Sequence, residues 1–267
     1  MIGHPIAHSR SPAIHNAAFA AVELADEWSY EALEVEPREF AHRVRALPEQ
    51  GFVGANVTVP HKRAALELAD TASDSAGEIG AANTLSFEGG AIGADNTDAP
   101  GFLAALPEPP AGRRALVLGA GGSARAIVWA LVRERAEVAV WNRTVERAER
   151  LAEELGAFAL AADGELPADQ FELVVNCTSV GMEAAAASPA GSDLESLRLA
   201  PDRIHAGQVV VDLVYGASET ELARTARERG ASVVDGLEVL VRQGAASFRI
   251  WTGIDPPLDA MRRAARD

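Results

Sequence analysis

Short apolar runs alternate with amphipathic stretches along the whole chain. A short apolar run is typical of a buried strand, and apolar positions that recur about three and four residues apart are typical of a helix. The alternation of the two patterns predicts β-α units on a largely parallel sheet, which is an α/β fold. The sequence contains no internal repeat of solenoid length.

Elements of both kinds are predicted in roughly the first hundred residues. The pattern predicts strands over 29–35, 52–59, 83–87 and 91–93, and helices over 12–22, 37–47, 63–69 and 100–106. Glu88-Gly89-Gly90 is a turn signal that joins the last two strands. The proline-rich segment 107–112 cannot continue a helix, so it predicts a linker.

The region after the linker begins with a βαβ unit. The predicted strands are 115–118, 137–141, 173–177, 208–214 and 232–234, and the predicted helices are 123–134, 145–155, 237–251 and 257–265. We expect the last two helices to return to the first domain, because a doubly wound sheet ending at 234 needs no further strand. The predicted domains are therefore 1–98 together with 236–267, and 99–235.

Composition narrows the possible partners. Of 267 residues, 48% are hydrophobic, which is enough for two buried cores, and the formal net charge is -15. An excess of acidic side chains repels phosphate backbones and anionic lipids, so neither nucleic acid nor membrane is an expected partner. The single cysteine, Cys177, cannot form an internal disulfide, which predicts a cytoplasmic protein.

A single lysine is the first candidate for chemistry. Lys62 is the only lysine among 24 basic residues, and it stands at the start of a predicted helix. The positive end of the helix dipole disfavours an ammonium ion there, so a catalytic role is favoured over a structural one. Asp98 also stands at a strand-to-helix junction, where it either caps the helix or forms an acid/base pair with Lys62.

A glycine-rich loop predicts a dinucleotide site. The sequence Gly119-Ala120-Gly121-Gly122-Ser123-Ala124 follows a predicted strand and opens a predicted helix, in the form G-x-G-x-x-A. Such a loop lets backbone groups approach a pyrophosphate at a helix N-terminus.

The residues after the next strand predict which dinucleotide binds. An NAD site would have Asp or Glu there, whereas this chain has Asn142, Arg143 and Thr144, with Arg147 one turn later. Two guanidinium groups and a hydroxyl suit a 2′-phosphate, which predicts NADP. The alternative is a surface turn with two solvated arginines.

Two serines precede the first predicted helix, in His8-Ser9-Arg10-Ser11-Pro12. Ser11 before a proline is the usual pattern of a helix N-cap. Ser9 and Ser11 together would also cradle a substrate carboxylate at the helix N-terminus. The sequence leaves both interpretations open.

Nine motifs occur along the chain. They are GHPIAHSRSP at 3–12, NVTVPHK at 56–62, GAANT at 80–84, NTD at 96–98, GAGGSA at 119–124, NRT at 142–144, NCTSVGM at 176–182, DLVY at 212–215 and GLEVLVRQGA at 236–245. In these motifs and in their order, the sequence strongly resembles the shikimate dehydrogenase family. The resemblance implies two α/β domains with a cleft between them: a substrate domain with a mostly parallel sheet and a Rossmann-type NADP domain. It also implies reversible reduction of 3-dehydroshikimate to shikimate by NADPH, a step of chorismate and aromatic amino acid biosynthesis.

The resemblance further implies the roles of individual residues. Ser9 and Ser11 would bind the substrate carboxylate, and Lys62 and Asp98 would form the catalytic pair. The ring hydroxyls would be bound by Thr58, Lys62, Asn83, Asp98 and Gln243, with Tyr215 nearby. The nicotinamide ribose and ring would be lined by Thr178, Leu213, Gly236 and Val239. No metal is implied.

Other interpretations remain open at this point. A quinate/shikimate dehydrogenase of the same family would tend to use NAD, and a non-catalytic NADP-sensing protein would not need both Lys62 and Asp98. We expect a monomer or a homodimer. Because the family has several strand residues before the Ile-Gly-His-Pro stretch and this sequence has only Met1, we also expect further residues upstream.

Overall fold

The chain forms two compact units in a computed structural model, which describes residues 1–7, 9–161, 164–182, 192–216 and 218–267. The first unit contains Met1–Ala104 and Leu240–Asp267, and the second contains Ala105–Val239. The units part after Ala104 and after Val239, whereas the predicted limits were after Asp98 and after Asp235. The observed limit after Val239 falls inside the helix Gly236–Thr252. The hydrophobic periodicity of a helix continues through such a point, so the sequence contains no signal for a domain boundary there.

The helices and strands follow the order that the sequence pattern predicts. The strands are β1 (Ile2–Gly3), β2 (Leu33–Glu34), β3 (Gly54–Asn56), β4 (Thr71–Ala72), β5 (Thr84–Glu88), β6 (Ala91–Asp95), β7 (Arg114–Leu118), β8 (Glu137–Trp141), β9 (Phe158–Ala159), β10 (Leu173–Asn176), β11 (Val209–Asp212) and β12 (Ser232–Asp235). The α-helices are α1 (Ser11–Ala21), α2 (Phe40–Ala46), α3 (Lys62–Leu68), α4 (Asp74–Ile79), α5 (Asp98–Ala105), α6 (Gly122–Arg133), α7 (Val145–Leu155), α8 (Asp193–Ser196), α9 (Glu221–Glu228), α10 (Gly236–Thr252) and α11 (Leu258–Arg266).

The first unit contains a sheet in the order β3-β5-β6-β4 and a parallel pair, β1 with β2. β5 pairs antiparallel with both β3 and β6, while β4 pairs parallel with β6. The hairpin between β5 and β6 turns through Gly89 and Gly90, both of which have positive φ, so these strands are necessarily antiparallel. The sheet of this unit is therefore mixed, where a mostly parallel one was expected.

Two terminal helices complete the first unit. α11 packs against α1 and buries Met261 and Ala265. In α10, Phe248 is fully buried and its ring lies 5.5 Å from that of Phe19 in α1. The apolar periodicity of both terminal helices is thus satisfied within this unit.

The second unit is a parallel sheet in the order β12-β11-β10-β7-β8-β9. β7, the first strand of this unit along the chain, is central, and the strand order reverses between β7 and β10. In such sheets, ligands bind outside the carboxyl ends of the strands at that switch point. The arrangement is doubly wound, and the predicted α/β fold class is confirmed.

Some short elements differ from those predicted. The strand predicted over 29–35 shrinks to β2, because the Asn16 side chain bonds the Tyr30 N–H at 2.8 Å and the Tyr30 carbonyl at 2.9 Å, so neither group joins a sheet. The short helices α4, α8 and α9 and the two-residue strands β4 and β9 were not predicted, since none has a long apolar pattern. The alanine-rich part of the sequence at 183–190 lies outside the described residues.

Candidate active site

Lys62 and Asp98 meet inside the first unit. Lys62 is the first residue of α3 and Asp98 is the first residue of α5. Lys62 Nζ lies 2.5 Å from Asp98 Oδ2, and the two side chains are 9% and 15% exposed. The sequence placed both at strand-to-helix junctions, and the fold brings these junctions together. An ammonium and a carboxylate in contact, shielded from bulk water, can exchange a proton with a bound substrate.

Asn96, not Asp98, caps helix α5. Asn96 Oδ1 accepts the N–H of Asp98 at 3.1 Å and that of Ala99 at 3.4 Å. The Asp98 carboxylate is thereby left for side-chain partners. The structure therefore contradicts the interpretation of Asp98 as the cap of this helix.

Asn83 joins Asp98 to Gln243. The main-chain N–H of Thr97 donates to Asn83 Oδ1 at 2.7 Å, which fixes the direction of the Asn83 amide. Asn83 Nδ2 then donates to Asp98 Oδ1 at 2.9 Å and to Gln243 Oε1 at 3.1 Å. Four of the predicted site residues, Lys62, Asp98, Asn83 and Gln243, therefore form one hydrogen-bonded group.

Gly101 allows α5 to approach α10 at this group. A Cβ at Gly101 would lie 2.6 Å from the main-chain nitrogen of Gln243. That distance is shorter than any ordinary contact, so only glycine permits this approach. The placement of Gln243 beside Asn83 depends on it.

Ser9 and Ser11 lie at the start of α1, and the Ser11 hydroxyl does not cap the helix. Ser9 Oγ accepts the N–H of Ser11 at 3.3 Å, while α1 has no side-chain capping bond at Arg10. The Ser11 hydroxyl is 2% exposed and has no hydrogen-bond partner among the described residues. A buried hydroxyl without a partner costs free energy unless a ligand or water bonds it. This favours the ligand-cradle interpretation over the cap.

Thr58 lies in the turn between β3 and α3. Its main-chain N–H donates to the Ile2 carbonyl at 2.9 Å, and its own carbonyl accepts the N–H of His61 at 2.9 Å. A Cβ at Gly3 would collide with Thr58 Cγ2, so the glycine makes room for the threonine side chain. This turn leads directly into Lys62.

The glycine-rich loop lies at the carboxyl end of β7. Gly119 has φ of 109°, and a Cβ there would lie 3.2 Å from the backbone of Cys177. Around Gly121 a Cβ would meet nothing within 4 Å, so its backbone is open to a ligand. Gly122 and Ser123 open α6, and Ala124 is fully buried beneath them. Ala120 stands between the two glycines in a partly exposed position.

The two predicted phosphate-binding arginines are exposed beyond β8. Arg143 follows Asn142, whose Nδ2 donates to the Thr144 carbonyl at 2.9 Å, and Arg147 lies in the first turn of α7. Neither guanidinium has an acidic partner within the described part of the chain. Both are therefore available to an anion.

Asp212 organises the other strand ends of this unit. Its carboxylate, 1% exposed, accepts from Thr220 Oγ1 at 2.5 Å, from Asn176 Nδ2 at 2.9 Å and from the Val214 N–H at 3.1 Å. Burial raises the pKa of the Asp212 carboxyl. Asn176 Oδ1 in turn accepts the Thr178 N–H and hydroxyl at 3.0 and 2.7 Å.

Leu213, Gly236 and Tyr215 lie beside Asp212. A Cβ at Gly236 would lie 2.6 Å from the Leu213 carbonyl oxygen, so α10 begins in close contact with this segment. Tyr215 and Gly236 line a cavity of about 270 Å³ that also borders Asp212. Val239, one turn into α10, is 7% exposed.

Three family models match the chain. Residues 1–85 match the shikimate dehydrogenase substrate binding domain, residues 106–186 match shikimate / quinate 5-dehydrogenase, and residues 236–266 match the shikimate 5′-dehydrogenase C-terminal domain. The shikimate dehydrogenase (NADP(+)) of Methanopyrus kandleri is 43% identical, covering 99% of this chain and 93% of its own. The chain belongs to the shikimate dehydrogenase family.

Other members of the shikimate dehydrogenase family are similar over their whole length. The shikimate dehydrogenase (NADP(+)) of Anaeromyxobacter dehalogenans is 45% identical, covering 99% of this chain and 94% of its own. The crystal structure of shikimate 5-dehydrogenase from Thermus thermophilus, in complex with NADP(H) and shikimate, has a TM-score of 0.87 at 42% identity and covers 99% and 97% of the two chains. The predicted family is confirmed.

Sequence reasoning missed part of the polar group in this member of the shikimate dehydrogenase family. The hydroxyls of Thr84, Thr97 and Ser247 lie 2.9 to 3.1 Å from one another, all at most 2% exposed. Asn56 Nδ2 reaches Ser247 Oγ at 2.7 Å. Thr84 and Thr97 stand in the quoted motifs, and Ser247 lies one helical turn after Gln243. That spacing was the available signal.

Two other kinds of feature are absent from the described residues. Within the described ranges, no helix is long and apolar enough to cross a bilayer. Among the same residues, no three His, Cys, Asp or Glu side chains cluster as metal ligands would.

Proposed function

We propose that this chain is an NADP-dependent shikimate dehydrogenase, which reversibly reduces 3-dehydroshikimate to shikimate on the route to chorismate and the aromatic amino acids. The observation that carries the proposal is the Lys62–Asp98 pair, with Nζ and Oδ2 2.5 Å apart and both side chains largely shielded from solvent. A protein that only senses NADP has no need of such a pair. The full-length similarity to NADP-dependent shikimate dehydrogenases supports the choice of substrate.

Lys62 acts as the proton donor in the reductive direction. When the C3 carbonyl carbon is reduced, negative charge develops on the carbonyl oxygen and must be stabilised and protonated. The Lys62 ammonium supplies both the positive charge and the proton. In the oxidative direction, the amine of Lys62 removes the proton of the C3 hydroxyl.

Asp98 holds the lysine and the substrate in place. One carboxylate oxygen faces Lys62 Nζ, and the other accepts from Asn83 Nδ2 at 2.9 Å. Because each oxygen has lone pairs left, Asp98 can also accept a substrate hydroxyl. Asn83, Gln243 and Thr58 are the further ligands of the ring hydroxyls, with Tyr215 nearby.

Ser9 and Ser11 bind the substrate carboxylate. The Ser11 hydroxyl is buried and without a described partner, and Ser9 Oγ lies 3.3 Å from the Ser11 nitrogen. Hydroxyl donors beside the positive end of a helix stabilise an anion there. This is the chemistry that separates shikimate from a neutral polyol.

The second unit offers groups that fit NADP. The open backbone at Gly121 and the start of α6 suit a pyrophosphate, with Gly119, Ala120, Gly122, Ser123 and Ala124 completing the loop. Arg143 and Arg147, with Asn142 and Thr144, suit a 2′-phosphate because neither guanidinium is neutralised by a described acid. When bound, NADPH supplies the hydride for the carbonyl carbon. Thr178, Leu213, Gly236 and Val239 line its nicotinamide end.

The remaining properties follow from sequence chemistry. The formal net charge of -15 argues against nucleic acid and anionic membranes as partners. The single cysteine argues for the cytoplasm. We propose a monomer or homodimer that works there on small molecules.

The decisive test is an assay of cofactor reduction. Shikimate, quinate and buffer alone are each combined with NADP and with NAD, and NADPH or NADH formation is followed by absorbance. We expect reduction only with shikimate, and a kcat/KM at least about tenfold higher with NADP. Comparable rates with quinate and NAD would instead establish a quinate/shikimate dehydrogenase. Cofactor binding without turnover would establish a sensor.

A further inference from the structure

Tyr30 is held rigidly beside the first unit's polar group, although it belongs to none of the motifs described above. The Asn16 side chain bonds its backbone N–H and carbonyl at 2.8 and 2.9 Å. The His15 ring stacks on the tyrosine ring with centroids 4.3 Å apart and an angle of 4°. The Tyr30 hydroxyl donates to Asn56 Oδ1 at 2.7 Å, and it also lies 3.8 Å from Met1 Sδ.

This hydrogen bond agrees with the direction of the Asn56 amide. Asn56 is 2% exposed, and only its carbonyl oxygen can accept the phenol proton. Asn56 Nδ2 donates to the Asn83 main-chain carbonyl at 3.2 Å and also lies 3.1 Å from Thr84 Oγ1 and 2.7 Å from Ser247 Oγ. Without the phenol hydroxyl, Asn56 Oδ1 would lose this buried hydrogen bond.

The chain of hydrogen bonds continues from Thr84 to Asn83, whose amide direction the Thr97 N–H already fixes. Because Thr84 Oγ1 accepts from Asn56, its own proton is free to donate to Asn83 Oδ1, which lies 3.1 Å away. Asn83 Nδ2 donates to Asp98 Oδ1 at 2.9 Å. From Tyr30 to Asp98, every donor in the chain of hydrogen bonds points toward the carboxylate. Hydrogen bonds aligned in this way polarise and strengthen one another in a low-dielectric interior.

We propose that Tyr30 is a positioning residue of the active site, which acts through Asn56 and Thr84 to strengthen the hydrogen bond by which Asn83 holds Asp98. Its part in turnover rests on the proposed function, whereas its effect on the Asn83 amide is a property of the folded protein alone. The two can therefore be tested separately.

The first test uses Tyr30→Phe, which removes one oxygen and keeps the ring that stacks on His15. We expect the side-chain amide resonances of Asn56 and Asn83 to shift in nitrogen-15 NMR spectra and to exchange faster with solvent. Thr252→Val is the matched control, since Thr252 Oγ1 bonds the Phe248 carbonyl at 2.8 Å and the Ile254 N–H at 3.1 Å, both at the far end of α10. The control should leave the Asn83 resonances where they are. Unchanged Asn83 resonances and exchange in Tyr30→Phe would overturn the proposal, whether or not the protein turns over shikimate.

The second test measures turnover. In Tyr30→Phe, kcat should fall and the KM for shikimate should rise, with kcat/KM lower by about three- to thirtyfold and the KM for NADP nearly unchanged. A protein that was merely less stable would lose kcat alone. If wild type shows no activity with shikimate, the proposed function fails while the NMR result still decides the role of Tyr30.

A double-mutant cycle tests the route. If the effect passes through Thr84, adding Tyr30→Phe to Thr84→Val should cost much less than it costs in wild type, because the chain is already broken. Losses that multiply independently would show that Tyr30 acts by another route and would overturn the proposal.

Discussion

Lys62 Nζ and Asp98 Oδ2 lie 2.5 Å apart, although 36 positions separate the residues along the chain. Each residue is the first of its helix, so the pair is positioned by two backbone segments rather than by long flexible loops. Removing either partner leaves a shielded charge without its counterion. A substitution at either position should therefore affect the other residue as well.

Lys62→Ala should lower kcat by roughly two to four powers of ten with a smaller change in KM, because a positioned proton donor is lost from the transition state. Lys62→Arg should be nearly as impaired, since a guanidinium keeps the charge but does not release a proton near neutral pH. Steady-state kinetics with shikimate and NADP measure both. If Lys62→Arg kept more than about a tenth of the wild-type kcat, proton transfer by Lys62 would not be the critical step.

Arg143→Ala should raise the KM for NADPH about ten- to a hundredfold, because a charge-assisted hydrogen bond contributes roughly 1.5 to 3 kcal/mol. The weaker use of NADH should hardly change, since NADH has no 2′-phosphate. Arg229→Ala, which removes an exposed arginine elsewhere in the second unit, is the matched control. Equal losses with both cofactors would contradict the assignment of Arg143.

Replacing both Ser9 and Ser11 by alanine should weaken binding of shikimate through its carboxylate. The comparison is with an analogue in which a neutral amide replaces the carboxylate. Wild type should prefer shikimate, and the double variant should lose most of this preference, by roughly tenfold in kcat/KM. Because the Ser11 hydroxyl does not cap α1 and Ser9 Oγ accepts a single long bond from the Ser11 N–H at 3.3 Å, thermal stability should change little. A preserved preference would mean that the carboxylate binds elsewhere.

His15 should make the protein less stable at acid pH. Burial lowers the pKa of His15 to about 3, whereas a histidine in the unfolded chain titrates near about 6.5. Between these two pH values the unfolded state binds a proton that the folded state does not. The free energy of unfolding therefore falls by up to about 1.4 kcal/mol for each unit by which the pH is lowered.

Urea unfolding of wild type and His15→Leu measures this effect. The free energy of unfolding of wild type, relative to that of the variant, should decrease by about 2 kcal/mol from pH 7 to pH 5. Burial also lowers the pKa of His61, but that contribution is common to both proteins and cancels. His42→Leu, at an exposed position of α2, serves as the control. A difference independent of pH would contradict the prediction.

Much of the fold could be predicted because local signals and tertiary structure agree. β8 and α7 begin and end where the apolar pattern predicted, and α7 ends at Gly156, whose φ of 73° only glycine adopts easily. The strand over 29–35 could not be predicted correctly, since Asn16 intercepts the Tyr30 backbone from a distant helix. No local propensity contains that information.

The residues of the candidate site also fall into those that the sequence could identify and those that it could not. Lys62 and Asp98 could be selected because each stands at a junction where its residue type is unusual or ambiguous. Tyr30 could not, and Ser247 was signalled only by its spacing from Gln243, because their importance depends on partners such as Asn56, which is 191 positions from Ser247. Contacts over such distances appear only after the chain has folded.

The composition of the first unit from two distant parts of the chain determines the order in which the protein can mature. During synthesis on a ribosome, all of Ala105–Val239 is translated before Leu240–Asp267. Gln243 and Ser247, which bond Asn83 and Asn56, are among the last residues translated. The residues around Asp98 therefore wait for partners that arrive only with α10. A nascent chain contains every strand of its parallel sheet before it contains every residue of its catalytic group.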